Sequence, residues 1–219
     1  PGLASDYGAM AKAALALHQA TLAPRWLAAA ENFVATARMH HWDAGAPGYF
    51  LSADDAEALI VRPRAATDEA TPSGTSLLAQ ALARLWRLTG NDTWRADVDA
   101  VLGAAGAQVA TNLFSSTGLL NALDLRLSAI DVVIVTPAGA ASGEGEARVA
   151  DALLAAVRQH TTPNVVLSVH SGTADLPADY PASGKTAIDG KPTAYVCRGA
   201  TCALPVTDAD GLARLIGER

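Results

Sequence analysis

Apolar residues recur at helical spacing from the start of the chain. The first predicted helix runs from Leu3 to about Gln19, with apolar positions at Leu3, Tyr7, Met10, Ala14 and Leu17. A second helix is predicted from Pro24 to about His41, because proline is well tolerated in the first turn of a helix. The pattern therefore predicts a helical hairpin.

The same helical spacing returns after a long connection. Three further helices are predicted, from the Thr71–Gly74 start to Leu88, from Thr93 to about Leu113, and from Thr117 to Leu127. Ser73 or Thr71 can cap the first of them by accepting hydrogen bonds from free backbone N–H groups. Within the connection, two short strands are predicted at Tyr49–Leu51 and Leu59–Val61.

The two hairpins share an internal repeat. Three residues recur at a displacement of 68 positions, Leu17, Thr21 and Trp26 returning as Leu85, Thr89 and Trp94. A hairpin with one apolar face cannot bury that face without a neighbour, so repeated hairpins predict a stacked array or a closed ring. Because the chain begins with Pro1 and enters a helix at once, we expect that further hairpins lie upstream.

The pattern changes at Ala129, where a continuous β-branched run over residues 130–135 is typical of a buried strand. An amphipathic helix over Gly143–His160 and a strand over Asn164–Val169 complete a β-α-β unit with parallel strands. Two more strands and a last helix are predicted at Thr193–Val196, Leu204–Val206 and after Asp208. We therefore predict a helical domain over residues 1–128 and a small α/β module over 129–219.

The composition and charge of the chain argue against some classes of binding partner. The 219 residues are 50% hydrophobic, and 16 Lys and Arg against 22 Asp and Glu give a net charge of -6 without a basic run. This argues against nucleic acid as a partner. No apolar run reaches the roughly 18–20 residues of a membrane-spanning helix, and no basic-then-apolar leader is present. We expect a cytoplasmic protein with no membrane partner and no cofactor.

Several motifs resemble the YyaL family, also called thioredoxin-domain-containing or spermatogenesis-associated thioredoxin-like proteins. The matching stretches are Asp6-Tyr7, residues 59–64, Asp68 with residues 70–74, and residues 189–197 with Cys202. The resemblance implies a thioredoxin-like domain, then an (α/α) six-hairpin toroid similar to N-acylglucosamine 2-epimerases and six-hairpin glycosidases, then an α/β piece. The chain is thus expected to contain the last toroid hairpins, without the early hairpins and the thioredoxin-like domain. It departs from the family pattern at Arg64, Glu69 and Thr75, where the family commonly has Lys, Gly and Asn.

The resemblance directs attention to the segment 62–75, which contains the candidate substrate-binding residues Arg62, Arg64, Asp68, Thr71, Ser73 and Thr75. Guanidinium groups hold carboxylates or phosphates bidentately, and a helix start favours an anion. Asp68 can orient a hydroxyl or act as a base. The alternative is structural: Asp68, Thr71 and Ser73 cap the helix, and the arginines pair with Asp54, Asp55 or Glu57.

Asp6 and Tyr7 are further substrate-binding candidates, although a helix-start charge and a core tyrosine are the simpler interpretations. His40 and His41 are adjacent on a helix and point in different directions, so no metal site is predicted. The four tryptophans are interpreted as packing residues.

Cys197 and Cys202 form a candidate redox pair, since a four-residue hairpin loop places the two cysteines opposite one another. The spacing is not that of a Cys-x-x-Cys motif, and cytosolic thiols are normally reduced, so two reduced, partly buried thiols are the favoured interpretation.

Two functions remain open from the sequence. By resemblance of fold, the complete toroid is expected to bind a sugar-like small molecule, with epimerase- or glycosidase-type activity if the protein is an enzyme. The alternative is a non-catalytic scaffold or partner-binding region that serves a thioredoxin-like redox domain. Convergence of Tyr7, Arg62, Asp68 and a tryptophan on one concave surface would favour the first, and their use in caps would favour the second.

Overall fold

The computed structural model describes residues 2–64, 66–138, 144–173, 176, 178, 180 and 183–218. The chain forms two compact units, one of Pro1–Arg87 with Asn91–Arg126 and the other of Leu88–Gly90 with Leu127–Arg219. The fold is mainly helical and includes a small four-stranded sheet. Within the described part of the chain, no helix is both long enough and apolar enough to cross a membrane.

The helices before residue 129 lie close to their predicted positions. They are α1 (Ala4–Thr21), α2 (Pro24–His41), α3 (Gly74–Thr89), α4 (Asp92–Thr111) and α5 (Thr117–Ser128), with a 3-10 turn at Phe114–Ser116. The capping expectation for α3 also holds, since the Ser73 hydroxyl accepts from the Ser76 N–H at the start of that helix. The Asn91 side chain accepts from the Thr93 N–H at the start of α4.

Helices α1, α3 and α5 run side by side in the same direction. Side-chain contacts between α1 and α3 join positions 12 to 80 and 19 to 84, so the sequence numbers rise together along both helices. Between α3 and α5, contacts likewise join positions 80 to 118 and 87 to 126. The Lys12–Gln80 contact is 2.6 Å long and joins two positions separated by the repeat of 68 residues. The two copies of the internal repeat therefore place α1 and α3 side by side, parallel and nearly in register.

Glycine permits the close approach of α1 and α3. A Cβ atom at Gly8 would lie 2.6 Å from the Leu77 Cβ, and one at Gly74 would lie 2.8 Å from the Ser5 backbone nitrogen. Helix α3 is buried on nearly every side, whereas the other helices bury one face. Its leucines, fully enclosed at Leu78, Leu82 and Leu85, form the centre of the first unit.

The connection between α2 and α3 does not form the two predicted strands. Residues Leu59–Val61 are exposed and irregular, and Tyr49 and Phe50 take part only in the isolated bridges Trp42–Tyr49 and Phe50–Arg64. A strand needs a neighbour that satisfies its backbone groups along its length. Here the Phe50 N–H donates to the His41 carbonyl and the Leu51 N–H donates to the Pro63 carbonyl. These residues have a local preference for strands, but the connection gives them no continuous neighbouring strand to pair with.

The second unit is a small α/β module. Its elements are β1 (Ile130–Thr136), α6 (Glu144–Gln159), β2 (Val165–Ser171), β3 (Thr193–Arg198), β4 (Thr201–Cys202) and α7 (Ala209–Gly217). The sheet order is β2-β1-β3-β4, with β1 parallel to β2 as predicted and antiparallel to β3. Asp208 caps α7 by accepting from the Gly211 N–H at 2.7 Å.

The predicted strand at Leu204–Val206 is wrong. The fourth strand is instead Thr201–Cys202, and Val206 forms only an isolated bridge with Ala194. Pro205 lacks a backbone N–H, so it cannot donate to a continuing ladder.

Candidate functional site

The predicted substrate-binding residues lie where α1, α3 and α5 begin and α2 ends. The long connection crosses this end: the Ala4 N–H donates to the Leu51 carbonyl and the Asp68 N–H donates to the Ser115 carbonyl, both at 2.9 Å. We call residues 62–64 and 66–75 the rim segment, because they lead from this connection into α3. The rim segment includes most of the residues that the sequence singled out.

Asp68 is the polar centre of the rim segment. One carboxylate oxygen accepts from the Ser73 N–H at 2.8 Å and from the Ser76 hydroxyl at 2.7 Å, at the start of α3. The other accepts from the Gly118 N–H at 2.6 Å and the Thr117 hydroxyl at 3.3 Å, in the first turn of α5. A single carboxylate therefore caps two helices, and this matches the structural alternative for Asp68.

The hydrogen bonds to Asp68 favour its charged form. Burial opposes ionisation, but the Ser73 and Gly118 amides and the Ser76 hydroxyl outweigh it and hold the pKa of Asp68 below its ordinary value. The positive ends of two helix dipoles act in the same direction. Such a carboxylate is a weak proton acceptor, which makes it poorly suited to act as a general base.

Arg62 and Arg64 bind to their own chain. The Arg62 guanidinium donates to the Ser52 carbonyl at 2.6 Å and the His40 carbonyl at 3.0 Å, and it lies 4.4 Å from the centre of the Phe50 ring. The carbonyls at the end of α2 accept readily from a cation. Arg64 pairs with the Asp43 carboxylate. Pairing of the arginines with Asp54, Asp55 or Glu57 was the alternative from the sequence. The charge of Arg62 does act on Asp54, whose pKa is lowered mainly by the hydrogen bond with His40. The hydrogen bonds of Arg62 nevertheless go to carbonyls, and Arg64 pairs with Asp43.

The remaining rim residues have separate environments. Thr71 is exposed, and its carbonyl accepts from the Glu69 N–H. Ser73 is buried as the cap of α3, and Thr75 is buried in the first turn of that helix. The structure therefore brings Asp68 and Ser73 together and leaves Thr71 at the surface.

Asp6 caps its own helix, since its carboxylate accepts from the Leu3 N–H at 2.8 Å. Tyr7 is half-buried and packs edge-on against the His41 ring, with 5.5 Å between ring centres. His41 is fully buried, and its Nδ1 lies 3.1 Å from the Phe50 carbonyl. Burial lowers the pKa of His41, and the nearby charge of Arg62 adds to the effect. The group of Tyr7, His41, Phe50 and Arg62 is thus a packed end of the first hairpin.

One cluster of possible metal ligands was missed by the sequence analysis. His40 Nδ1 lies 2.9 Å from an Asp54 oxygen and 3.8 Å from an Asp55 oxygen. These three residues could hold a divalent cation, because imidazole and carboxylate are common ligands of such ions. Asp54 and Asp55 lie 14 and 15 positions after His40, so no local spacing in the sequence joins them to it. The connection folds Asp54 back so that its N–H donates to the His40 carbonyl.

The tryptophans serve mainly in packing, as expected. Trp94 is buried, and Trp42 packs edge-on against Tyr49. Trp86 lies between guanidinium groups, with those of Arg87 and Arg126 at 4.3 and 4.4 Å from its ring centre.

The two cysteines of the second unit form a disulfide. Cys197 on β3 pairs directly with Cys202 on β4, and Arg198 pairs with Thr201, so the turn consists of Gly199 and Ala200. The turn therefore has two residues rather than the predicted four, and the cysteines lie opposite one another as predicted. The favoured interpretation of two reduced thiols is not the state that this structure shows.

No family model matches the chain. It is similar to human spermatogenesis-associated protein 20, with 27% identity that covers 98% of this chain and 27% of the human protein. The rat and mouse proteins of the same name are 26% identical over the same shares. The chain thus spans about a quarter of the length of these curated relatives. The similarity over nearly the whole chain confirms the family resemblance indicated by the motifs.

Proposed function

We propose that this homologue of spermatogenesis-associated protein 20 provides a non-catalytic helical scaffold rather than an active site. The observation that supports the proposal is Asp68, whose two oxygens cap α3 and α5. Arg62 and Arg64 likewise bind groups of their own chain. The polar residues with the strongest sequence signal thus hold helices and the connection in position, and a substrate would have to displace them. We further propose that the scaffold works in the cytoplasm.

The exposed apolar face of α1 supports the proposal that the scaffold packs against another helix. Met10 and Leu17 are 51% and 41% exposed, and they follow Leu3 at intervals of seven residues. Their repeat equivalents in α3, Leu78 and Leu85, are fully buried. The proposed occupant is another helix of the same design, as in an (α/α) toroid. In the intact protein the array would present or position a thioredoxin-like redox domain.

A second candidate function is binding of a sugar-like molecule, with epimerase- or glycosidase-type chemistry. The observation that favours it is the common position of Tyr7, Arg62 and Asp68 at one end of the first unit. Binding would require Arg62 to leave two carbonyls, so the scaffold accounts better for the geometry.

The scaffold proposal is tested by comparing this chain with an intact longer relative, such as the human protein. We expect Met10→Glu to change the unfolding midpoint of the present chain little, because Met10 is half exposed. At the aligned position of the longer relative, the same change should lower stability by several kcal/mol, because a covered face would then bury an unpaired charge.

The matched control is Met39→Glu, at an exposed position of α2. Equal effects of the Met10 change in the chain and in its longer relative would contradict a covered face.

A thermal-shift screen of the longer relative with monosaccharides tests the second candidate function, sugar binding. Stabilisation that increases with sugar concentration and is lost in the Arg62→Ala equivalent would favour sugar binding over the scaffold.

A further inference from the structure

We propose that Cys197 and Cys202 form a thiol–disulfide exchange site for a dithiol partner, with Cys202 as the attacked sulfur and Asp131 as the group that handles the Cys197 proton. This inference concerns the second unit and does not depend on the scaffold proposal. It rests on three features: the position of the pair in the sheet, the unequal burial of the two cysteines, and the residue opposite Cys197.

The disulfide lies at an edge of the sheet. In the strand order β2-β1-β3-β4, Cys202 belongs to the outermost strand and Cys197 to its neighbour. Cys197 is fully buried, whereas Cys202 is only partly buried. A reagent that approaches from solvent therefore meets the Cys202 sulfur first, and this fixes which sulfur is attacked and which one leaves.

The disulfide adds little as a structural crosslink. It joins residues only five positions apart, and the β3–β4 pairing already holds those residues opposite one another. Stabilisation by a crosslink rises with the length of the loop that it closes, so a disulfide that closes so short a loop stabilises the fold little. The hairpin also has backbone hydrogen bonds that do not involve the disulfide, such as that from the Ala203 N–H to the Val196 carbonyl. A reversible bond fits this position better than a permanent one.

Asp131 occupies the position directly opposite Cys197. The two residues are cross-strand partners in the antiparallel β1–β3 pair, and their side chains share one face of the sheet. Asp131 is only 1% exposed and interrupts an otherwise apolar strand. A carboxyl group beside a buried sulfur can accept the thiol proton or return it.

Among the residues that the structure describes, few other titratable groups lie on this face of the sheet near the disulfide. Tyr195 and Tyr180 pack in the cluster that includes Cys197, and Lys185 lies 5.9 Å from the Tyr195 ring. Burial raises the pKa of Tyr195, so this phenol stays protonated near neutral pH. Arg198 alternates to the other face, where it donates to carbonyls at the end of α7. Among the described groups, Asp131 is thus the residue best placed to exchange a proton with Cys197.

The exchange proceeds in two balanced steps. A thiolate of the dithiol partner attacks the Cys202 sulfur, a mixed disulfide forms, and the bond to Cys197 breaks. Cys197 leaves as a thiolate and takes the proton of the Asp131 carboxyl group, which regains a proton from solvent. The second thiolate of the partner then attacks the partner's own sulfur in the mixed disulfide and releases Cys202 as a thiolate, which is protonated from solvent. The two protons lost by the partner's thiols pass to solvent. The partner loses two electrons and becomes a disulfide, and the cysteine pair gains those electrons.

The direction of attack is tested with the single variants Cys197→Ser and Cys202→Ser of the whole chain, using an aromatic disulfide reagent that releases a coloured thiolate. We expect the Cys202 thiol in the first variant to react at least about tenfold faster than the Cys197 thiol in the second, because reactivity follows exposure and thiolate character. Equal rates would overturn the assignment of Cys202. Reaction of both thiols only after unfolding would overturn the exchange site.

A second measurement needs no substitution. Native protein is treated with dithiothreitol while thiols are counted and far-UV circular dichroism is recorded. We expect two thiols to appear with the helical signal unchanged, and the disulfide to form again when oxidised dithiothreitol is added. Thiols that appear only as the helical signal is lost would show a structural crosslink and overturn the proposal.

The role of Asp131 is tested by the pH profile of reoxidation in Asp131→Asn, with Asp131→Glu as the conservative variant and the exposed Asp210→Asn as the control. We expect Asp131→Asn to slow reoxidation and shift its pH profile, while Asp131→Glu and the control retain the profile of the unaltered chain. A merely structural Asp131 would change stability and leave the profile in place, and that result would remove it from the exchange step.

Discussion

Helices α1 and α3 carry equivalent apolar positions but bury them differently. Met10 and Leu17 of α1 are 51% and 41% exposed, whereas their equivalents Leu78 and Leu85 are fully buried. The sequence pattern is thus nearly the same in both copies, and the neighbours of each helix set the burial. Helix α3 has α1 on one side and α5 on the other, as the contacts of Gln80 with Lys12 and Gly118 show.

The same comparison explains a difference in polarity. Asp6 of α1 corresponds to Gly74 of α3 across the repeat of 68 residues. At Gly74 the backbone of α1 passes so close that a Cβ atom would lie 2.8 Å from the Ser5 nitrogen. Asp6 faces no such neighbour and caps its own helix. Repeated helices therefore keep their apolar period while the residues at their contacts diverge.

The largest expected effect is at the buried copy of the apolar face. Leu78→Ala should lower the free energy of unfolding by about 2–5 kcal/mol, because it leaves a cavity in an enclosed core. The equivalent Met10→Ala should change it by less than about 0.5 kcal/mol, because this side chain is half exposed. Urea unfolding followed by circular dichroism measures both. Similar values for the two variants would contradict the difference in burial.

Removal of the shared cap should have the next largest effect. Asp68→Ala removes caps from two helices, and at about 1 kcal/mol for each cap we expect a loss of about 2 kcal/mol. Asp6→Ala removes the cap of α1 only, so about half of that loss is expected. Equal losses would mean that the second set of contacts, to Thr117 and Gly118, contributes nothing.

The close contact between α1 and α3 can be tested with two glycines. Gly8→Ala should destabilise the chain by about 1–3 kcal/mol, because the added methyl group would overlap Leu77. Gly103→Ala, within α4, should instead stabilise it by about 0.5–1 kcal/mol, because no atom lies within 4 Å of the new group and alanine favours a helix. If Gly8→Ala also stabilised the protein, the helices would be farther apart than described.

The smallest effect is a dependence on pH. The pKa of Asp68 is lowered in the folded chain, so its contribution to stability is present above the unfolded value of about 3.9 and is lost as pH falls through the folded value. Asp68→Asn should therefore lose less stability than the unaltered chain between about pH 5 and pH 2. Parallel acid-unfolding curves for the two proteins would contradict the lowered pKa.

Helix positions could be predicted because their signals are local. Pro24 at a first turn, Ser73 as a cap and the spacing of apolar residues act within a few positions of one another. The three wrong strands, at Tyr49–Leu51, Leu59–Val61 and Leu204–Val206, show the limit of such signals. A strand depends on a neighbour supplied by a distant part of the chain, and that neighbour cannot be read from the strand itself.

The candidate site shows the same limit. Capping of α3 by the Asp68 region was among the sequence alternatives, but the contact with Gly118 lies 50 positions away and had no local signal. The partners of Arg62 and the cluster of His40 with Asp54 likewise depend on how the long connection folds back over α2. Residue types marked these side chains as polar candidates, and the path of the chain determined which groups they contact.

The double cap also bears on how this region can change during evolution. Ile60 is fully exposed and its neighbours Leu59 and Val61 are at least half exposed, so insertions there should be accepted with little loss of stability. An insertion beside Asp68 would pull one carboxylate away from two helix starts at once. Length variation among relatives should therefore collect around Ile60, while the spacing from Asp68 to α3 stays constant.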